Sequence, residues 1–285
     1  AKNKNKIIIS SIEHSSIMEI CKVLEKQGYI IKKIIANKEG IVDLKQLERE
    51  IDSNTLLVSV MHVNNEIGAV QDIAKIGKIC KLRNVLFHSD AAQSFGKLTI
   101  KVHDMHVDML TASAHKIGGP KGIGILYLRD NIFLEPLIYG GGQEKGLRGG
   151  TENVPAIVGF AKALNEIKKI DNNKILELRN YFIKKLEELG GKINGGKEKR
   201  IFNNINVSFS GLDGESLVIA LSLKGVMCST GSACESRKES DDHVLKAIGL
   251  TEKESRGTLR FSLSKKVTKQ NVDHVVSILR DLLGK

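Results

Sequence analysis

The hydrophobic and polar positions alternate between two periods, one typical of helices and one of buried strands. Apolar side chains recur at helical spacing over 15–27, and Gly28 follows as a C-terminal cap. Asp43 is expected to cap a second helix, with Gln46 completing a capping box. The other predicted helices lie at 71–83, 155–189, 215–223 and 268–284, and the predicted strands at 7–14, 29–36, 55–62, 85–93, 108–115, 122–130, 204–210, 226–230 and 257–264.

Strands and helices follow one another through short connections as far as about residue 155. This order predicts an α/β fold with a mainly parallel sheet covered on both faces. Beyond that point the spacing changes, which indicates a smaller α+β domain. We therefore expect a large domain over 1–160 and a small domain over 161–285. Ligands of such folds bind beyond the carboxyl ends of the parallel strands.

Composition narrows the class of protein. The 285 residues are 41% hydrophobic, and no apolar run approaches the roughly 20 residues of a membrane helix. The net charge of +11 is scattered, and aromatic residues make up only 4%, which disfavours a nucleic-acid surface while leaving an acidic protein or tRNA open as a partner. Four cysteines without a CxxC pair indicate free thiols in a reducing compartment.

Polar residues cluster where three successive strands end: 62–66, 88–90 and 113–116. Lys116, next to a glycine cluster, is either a solvated loop lysine or an amine held for attack on an aldehyde. Asp90 ends an otherwise apolar strand, so we expect it to be half-buried and to need a cationic partner. A reactive lysine and an aspartate beside a ring nitrogen are the pair that a pyridoxal phosphate site requires.

Several neighbours extend this candidate site, each with an ordinary structural alternative. Gln93 can reach a ring hydroxyl, while Ser113 and His115 can bind a phosphate or simply cap the chain. His14 can stack on a cofactor ring or cap the helix that follows it. Arg260, inside an apolar strand, can bind a substrate carboxylate or form a salt bridge within the small domain.

The cysteines differ in their surroundings. Cys234 lies among small residues in GSACES, with cations nearby, which favours an ionised and reactive thiol. Cys228 falls in the predicted strand VMCST, and we expect it to be buried and inert. The spacing of Cys228, Cys234 and His243 matches no usual zinc pattern.

Across residues 6–285 the sequence resembles the cysteine desulfurases, which are pyridoxal phosphate enzymes of fold type I in the class V aminotransferase-like group. The resemblance implies a seven-stranded type of large-domain sheet, here lacking its N-terminal part. Seven stretches carry the resemblance, in family order and at similar spacing: IEH at 12–14, MHVNNEIG at 61–68, HSDAAQSFGK at 88–97, SAHKIGGPKGIG at 113–124, GGGQEKGLRGGTENV at 140–154, GSACES at 231–236 and RFSLS at 260–264.

The resemblance implies a role for each candidate around the cofactor ring. Lys116 matches the lysine that bonds covalently to the cofactor, and Asp90 matches the partner of the ring nitrogen. Gln93 matches the hydrogen-bond donor to the ring oxygen. His14 matches the histidine that stacks on the ring and assists proton transfer. Asn65 matches an asparagine near the ring oxygen and the substrate.

The remaining roles concern phosphate, substrate and sulfur. Ser113 and His115 match side chains of the phosphate cup, and Thr151 matches a threonine supplied to that cup by the neighbouring subunit of an obligate dimer. Arg260 matches the arginine that binds the substrate carboxylate. Cys234 matches the persulfide-carrying cysteine, and its surroundings resemble the branch with a long, mobile cysteine loop.

The resemblance thus implies conversion of L-cysteine to L-alanine, with sulfur passed to an acceptor for iron–sulfur clusters, thio-cofactors or tRNA thiolation. It also implies a homodimer in the cytoplasm or an organellar matrix. The alternatives are a selenocysteine lyase, another class V enzyme, or a truncated, non-catalytic binding module. The third alternative rests on a departure: the family's phosphate-cradling loop would fall before residue 1, so we expect the chain to be a fragment or truncated.

Overall fold

The structure is a computed structural model that describes residues 4–231 and 243–285. Its strands are β1 (Lys6–Ser10), β2 (Ile30–Ile34), β3 (Thr55–Ser59), β4 (Leu86–Asp90), β5 (Met109–Ser113), β6 (Gly124–Leu128), β7 (Lys192–Ile193), β8 (Asn204–Ser208) and β9 (Thr258–Ser262). Its helices are α1 (Ser15–Lys26), α2 (Leu44–Glu50), α3 (Ile73–Leu82), α4 (Val154–Ile167), α5 (Asn172–Glu188), α6 (Gly214–Leu223), α7 (His243–Ala247), α8 (Glu252–Arg256) and α9 (Lys269–Leu282).

The chain forms two compact units, one comprising residues up to Asp72 and from Asp171 onward, the other comprising Ile73–Ile170. In the first, which we call the split unit, β1 pairs in parallel with β2 on one side and β3 on the other. Strand β1 is buried along its whole length, as expected for the centre of a parallel sheet. Helix α1 packs on it through Cys21 and Met18, whereas Ile20 is exposed.

The split unit also contains an antiparallel sheet in the order β7–β8–β9. Helices α5 and α6 pack against it, and the rings of Phe182 in α5 and Phe261 in β9 lie 5.0 Å apart. The strand predicted over 226–230 is wrong. Only Ser229 there pairs with another chain segment, through Arg260, so the stretch lacks the ladder that defines a strand.

The Ile73–Ile170 unit, which we call the central unit, contains β4, β5 and β6. Strands β4 and β5 run parallel, and β6 returns antiparallel to β5. A 3₁₀ turn, Ala114–Ile117, follows β5, and its buried residues pack against Phe160 and Ala163 of α4. This packing fixes the backbone on which Lys116 is mounted.

The predicted capping box of α2 is wrong, although Asp43 does cap the helix by accepting hydrogen bonds from the Lys45 and Gln46 amides. The Asp43 amide donates to the Ile35 carbonyl, and the Gln46 side chain accepts from the Ile35 amide. Within the two described stretches, no helix combines the length and apolar character that crossing a bilayer requires. The predicted domains, 1–160 and 161–285, stay a prediction.

Candidate active site

Asp90 and Lys116 lie at the same edge of the sheet in the central unit. Asp90 is the last residue of β4 and pairs with Thr111 of the parallel neighbour β5. Ser113 ends β5, and Lys116 follows within the 3₁₀ turn. Because the two strands point the same way, an acid, a hydroxyl and an amine follow one edge of the sheet, and their convergence around a cofactor stays a prediction.

Local hydrogen bonds orient the acid. One carboxylate oxygen of Asp90 accepts from the Ala92 amide at 2.8 Å, and the residue is half-buried, as the sequence predicts. The Ala91 amide donates to the Thr111 carbonyl at 2.8 Å, so the chain leaving β4 turns beside β5. Gln93 is half-buried within this turn.

Lys116 extends from a rigid turn into an accessible position. Ala114 and Ile117 are buried on either side of it, while its own side chain is exposed. Gly118 ends the turn at φ +84°, a left-handed conformation that glycine adopts without strain. An exposed amine on a fixed backbone is accessible to an aldehyde.

The histidine beside this lysine is held towards its neutral form. Partial burial lowers the pKa of His115, and the charges of Lys116 and Lys121 lower it further. The two lysines make this surface locally basic, which favours an anion such as phosphate. This character suits the phosphate role that the family resemblance implies for His115.

The sequence interpretation assigned no role to a second amine, Lys97. Burial lowers the pKa of Lys97 to about 8, and the charge of Lys116 contributes in the same direction. The turn containing Phe95 and Gly96 packs on Ile117, which explains why this amine lies near Lys116. The sequence signal for Lys97 was its position as the last residue of HSDAAQSFGK, one of the stretches that carry the family resemblance.

Three other candidates, His14, Asn65 and Arg260, belong to the split unit. His14 is the N-cap of α1: its Nδ1 accepts from the Ser16 amide at 3.2 Å. The capping alternative is therefore present in the structure, while stacking on a ring stays a prediction. Arg260 Nη1 donates to the Asn65 carbonyl at 3.1 Å, so two predicted substrate residues are directly linked.

The salt-bridge alternative for Arg260 stays a prediction, because residues 232–242, which include four carboxylates, lie outside the described residues. Among residues 4–231 and 243–285, no carboxylate lies within ion-pair distance of its guanidinium. Sequence reasoning also missed Glu13, which is fully buried beside His14. Its Oε1 accepts from the Ser10 hydroxyl and from the Met61 amide, so it fastens the His14 segment to the end of β3.

The remaining candidates are Thr151 and the cysteines. Thr151 is exposed on the glycine-rich loop of the central unit. Cys234 lies outside the described residues. Cys228 is half-buried, and burial raises its pKa to about 11, so it is a protonated thiol near neutral pH, consistent with the inert role we expected. No three potential metal ligands cluster anywhere in the part of the chain that the structure describes.

Comparison with known proteins agrees with this geometry. The model of the aminotransferase class-V family matches residues 1–275. A cysteine desulfurase IscS of Clostridium botulinum (strain Hall) is 41% identical over 289 residues, covering 99% of this chain and 73% of that protein. A solved NifS-like protein superposes with a TM-score of 0.92 at 37% identity, covering 99% of this chain and 76% of that one. A structure described as SspA in complex with cysteine matches with a TM-score of 0.81 at 41% identity, over 91% of this chain and 74% of that one.

The chain therefore belongs to the aminotransferase class-V family and has the α/β fold of the fold type I enzymes. Within that family it belongs to the cysteine desulfurases, because its relatives of that name match it over nearly its whole length. The predicted class of enzyme is confirmed.

Proposed function

We propose that this chain is a pyridoxal phosphate-dependent enzyme that converts L-cysteine to L-alanine and passes the sulfur, as a persulfide on Cys234, to an acceptor protein. The observation that carries the proposal is the shared edge of β4 and β5, where Asp90 and Lys116 follow neighbouring parallel strands. Membership of the cysteine desulfurases then selects the reaction among those that such a pair supports.

The residues at this edge fit the cofactor chemically. Pyridoxal phosphate supplies an aldehyde that bonds to amines and a ring that withdraws electrons from the attached substrate. Lys116 would bind the aldehyde, and Asp90 would keep a proton on the ring nitrogen. Gln93 would donate to the ring oxygen, and His14 would stack on the ring and assist proton transfer. Ser113, His115 and Thr151 would hold the phosphate.

We assign substrate binding to Arg260 and Asn65. A guanidinium has five N–H donors in a planar fork, so Arg260 can donate to the Asn65 carbonyl with one and bind a carboxylate with others. Cysteine is the ligand in the SspA structure that this chain resembles, which supports L-cysteine as the substrate. With the cofactor bound, Lys116 would also be the base that takes the proton from the substrate α-carbon.

Sulfur transfer falls to Cys234. Its thiolate would attack the substrate sulfur, forming an S–S bond while the bond between that sulfur and the substrate β-carbon breaks. The electron pair of the broken bond stays with the carbon skeleton, which is protonated and leaves as alanine. We propose an iron–sulfur scaffold or a thiolation carrier as the acceptor, and the cytoplasm as the location.

We also propose a homodimer in which Thr151 completes the phosphate site of the partner subunit. The central unit exposes large apolar side chains in and around the glycine-rich loop that carries Thr151: Phe133, Leu137, Tyr139, Val154 and Val158. Apolar side chains grouped in this way are typical of a surface that another protein covers.

The proposed function is tested by supplying the purified chain with pyridoxal phosphate and L-cysteine and measuring alanine and sulfide. We expect stoichiometric alanine and sulfide when a thiol reductant is present. Cys234→Ser should keep the yellow colour of the bound cofactor and lose turnover, whereas Lys116→Ala should lose both. Full sulfide release by Cys234→Ser would contradict the assigned nucleophile, and faster alanine formation from selenocysteine would favour a selenocysteine lyase.

A further inference from the structure

The loop that follows β3, residues 64–68, is held from outside by side chains of β8 and β9. The Nδ2 atoms of Asn204 and Asn206 both donate to the Glu66 carbonyl, at 3.0 and 3.2 Å. Arg260 donates to the adjacent Asn65 carbonyl. Two consecutive carbonyls of this loop are thus fixed by three side chains from the paired strands.

Asn206 is the central member of this set. It is fully buried and lies directly opposite Arg260 in the β8–β9 ladder. Its Oδ1 accepts from the Asn194 side chain at 2.8 Å, so its Nδ2 must face Glu66. An amide that is buried and bonded at both ends has one orientation, since turning it over would leave its donor and acceptor unpaired.

The loop itself is held close to the small sheet. A Cβ on Gly68 would lie 2.6 Å from Asn204 Oδ1, so the backbone approaches Asn204 as closely as only glycine allows. The Ile201 amide donates to the Gly68 carbonyl at 2.9 Å. Inside the loop, Asn64 Oδ1 accepts from the amides of Glu66 and Ile67. The carbonyl of residue 65 therefore has a fixed position relative to β9.

We propose that Asn206 is a positioning residue for substrate recognition, which sets the separation and register of Asn65 and Arg260. Asn206 would hold the Glu66 carbonyl, while Arg260, directly opposite it on the paired strand, holds the adjacent Asn65 carbonyl. This inference rests on the proposed function, because Asn65 and Arg260 are the residues to which we assign the substrate. Asn206 acts through them and contacts no substrate itself.

The chain offers a matched control in Ser208. It lies two residues further along the same strand, is also buried, and also accepts from the Asn194 side chain, at 2.7 Å. Its hydroxyl pairs with the Thr258 hydroxyl and makes no hydrogen bond to loop 64–68 among the described contacts. Ser208→Ala therefore perturbs the same buried network without releasing the loop.

The experiment compares Asn206→Leu and Asn206→Ser with Ser208→Ala in the cofactor-loaded enzyme. For both Asn206 variants we expect the KM for L-cysteine to rise roughly tenfold with kcat within about twofold, since the lost contacts position the substrate and do no chemistry. The Kd of L-alanine, measured from the cofactor absorbance, should rise by a similar factor. Ser208→Ala should leave both constants unchanged.

A second readout does not depend on catalysis. Hydrogen exchange at the Glu66 and Ile67 amides should accelerate in the Asn206 variants and not in Ser208→Ala, because only the former release the loop. Unchanged exchange and KM in both Asn206 variants would overturn the inference, as would an equal rise of KM in Ser208→Ala. If the parent enzyme forms no alanine from cysteine, the proposed function fails, while the exchange measurement still tests whether Asn206 fixes the loop.

Discussion

At the scale of single residues, burial determines which groups carry charge. His62, just beyond β3, is almost completely buried, and burial lowers its pKa to about 4. Burial also lowers the pKa of His88, although Asp90 opposes the shift. Both imidazoles are therefore neutral near pH 7. Burial acts in the same way on Lys97 and lowers its pKa to about 8.

The shifted histidine predicts an acid-sensitive fold. The pKa of His62 is lower in the folded chain than the unfolded value of about 6.5, so the unfolded state binds more protons between these values. Its contribution to stability is complete above about pH 6.5 and is lost as the pH falls towards 4, by about 3 kcal/mol in all. His62→Gln should remove this part of the pH dependence of the free energy of unfolding, which urea unfolding at pH values between 7.5 and 4.5 measures.

The exposed His274 provides the control for this measurement. His274→Gln should leave the difference in the free energy of unfolding between the two pH values as it is in the parent. An unchanged pH dependence of the free energy of unfolding in His62→Gln would mean that other groups account for the acid sensitivity.

At the scale of elements, helix ends depend on where each backbone amide finds an acceptor. Helix α8 has a complete capping box, in which Thr251 and Glu254 bond each other's amides. Helix α2 has the same kind of sequence, yet the Asp43 amide bonds to Ile35 instead, and so does the Gln46 side chain. Ile35, just after β2, therefore bonds both the Asp43 amide and the Gln46 side chain, which a capping box would have paired with each other.

This difference predicts opposite results in two double-mutant cycles. Asp43→Ala and Gln46→Ala should each destabilise the fold, by about 1 kcal/mol for the cap, and their effects should add within about 0.5 kcal/mol. Thr251→Ala and Glu254→Ala should be non-additive, because each removes the partner of the other. Chemical unfolding of the two sets of variants measures both couplings, and a coupling between Asp43 and Gln46 larger than that between Thr251 and Glu254 would contradict this account.

At the scale of the whole molecule, the central unit exposes large apolar side chains that the proposed dimer would cover. Leu137 is 97% exposed and Tyr139 is 77% exposed, values that a solitary soluble chain rarely shows for several large apolar residues in one region. Because Thr151 lies on the same loop region, the proposed dimer would combine burial of this surface with completion of the cofactor site.

A charge within this surface should disrupt the proposed dimer. Leu137→Glu would place a carboxylate in a desolvated interface, so we expect a shift from dimer to monomer in light scattering and a loss of cofactor affinity of tenfold or more. Leu82→Glu is the matched control, since Leu82 is also exposed on the central unit but lies at the end of α3. A dimer that survives Leu137→Glu unchanged, or one that Leu82→Glu disrupts equally, would contradict the proposed interface.

The sequence alone predicted most elements, because the hydrophobic periodicity and the residues that end helices and strands are local properties of the chain. The helices predicted at 15–27 and 268–284 and the strands predicted at 85–93 and 108–115 are present in the structure close to the predicted bounds. The strand at 226–230 was wrong because its apolar run contains no information about whether a neighbour will pair with it. Lys97 and Glu13 were missed for a related reason: a lysine after glycine and a glutamate before histidine are unremarkable until burial is known.

What the sequence determined by itself is the order of the chemical groups and the elements that carry them: an acid ending one strand, an amine following the next, and a cysteine in a stretch of small residues. Only the tertiary structure decided which groups meet. Asn204 and Asn206 bond to Glu66 across 138 and 140 residues of chain. Such pairs depend on how distant segments pack, because a buried side-chain amide forms hydrogen bonds with whichever groups that packing places beside it. Periodicity along the chain cannot encode that choice.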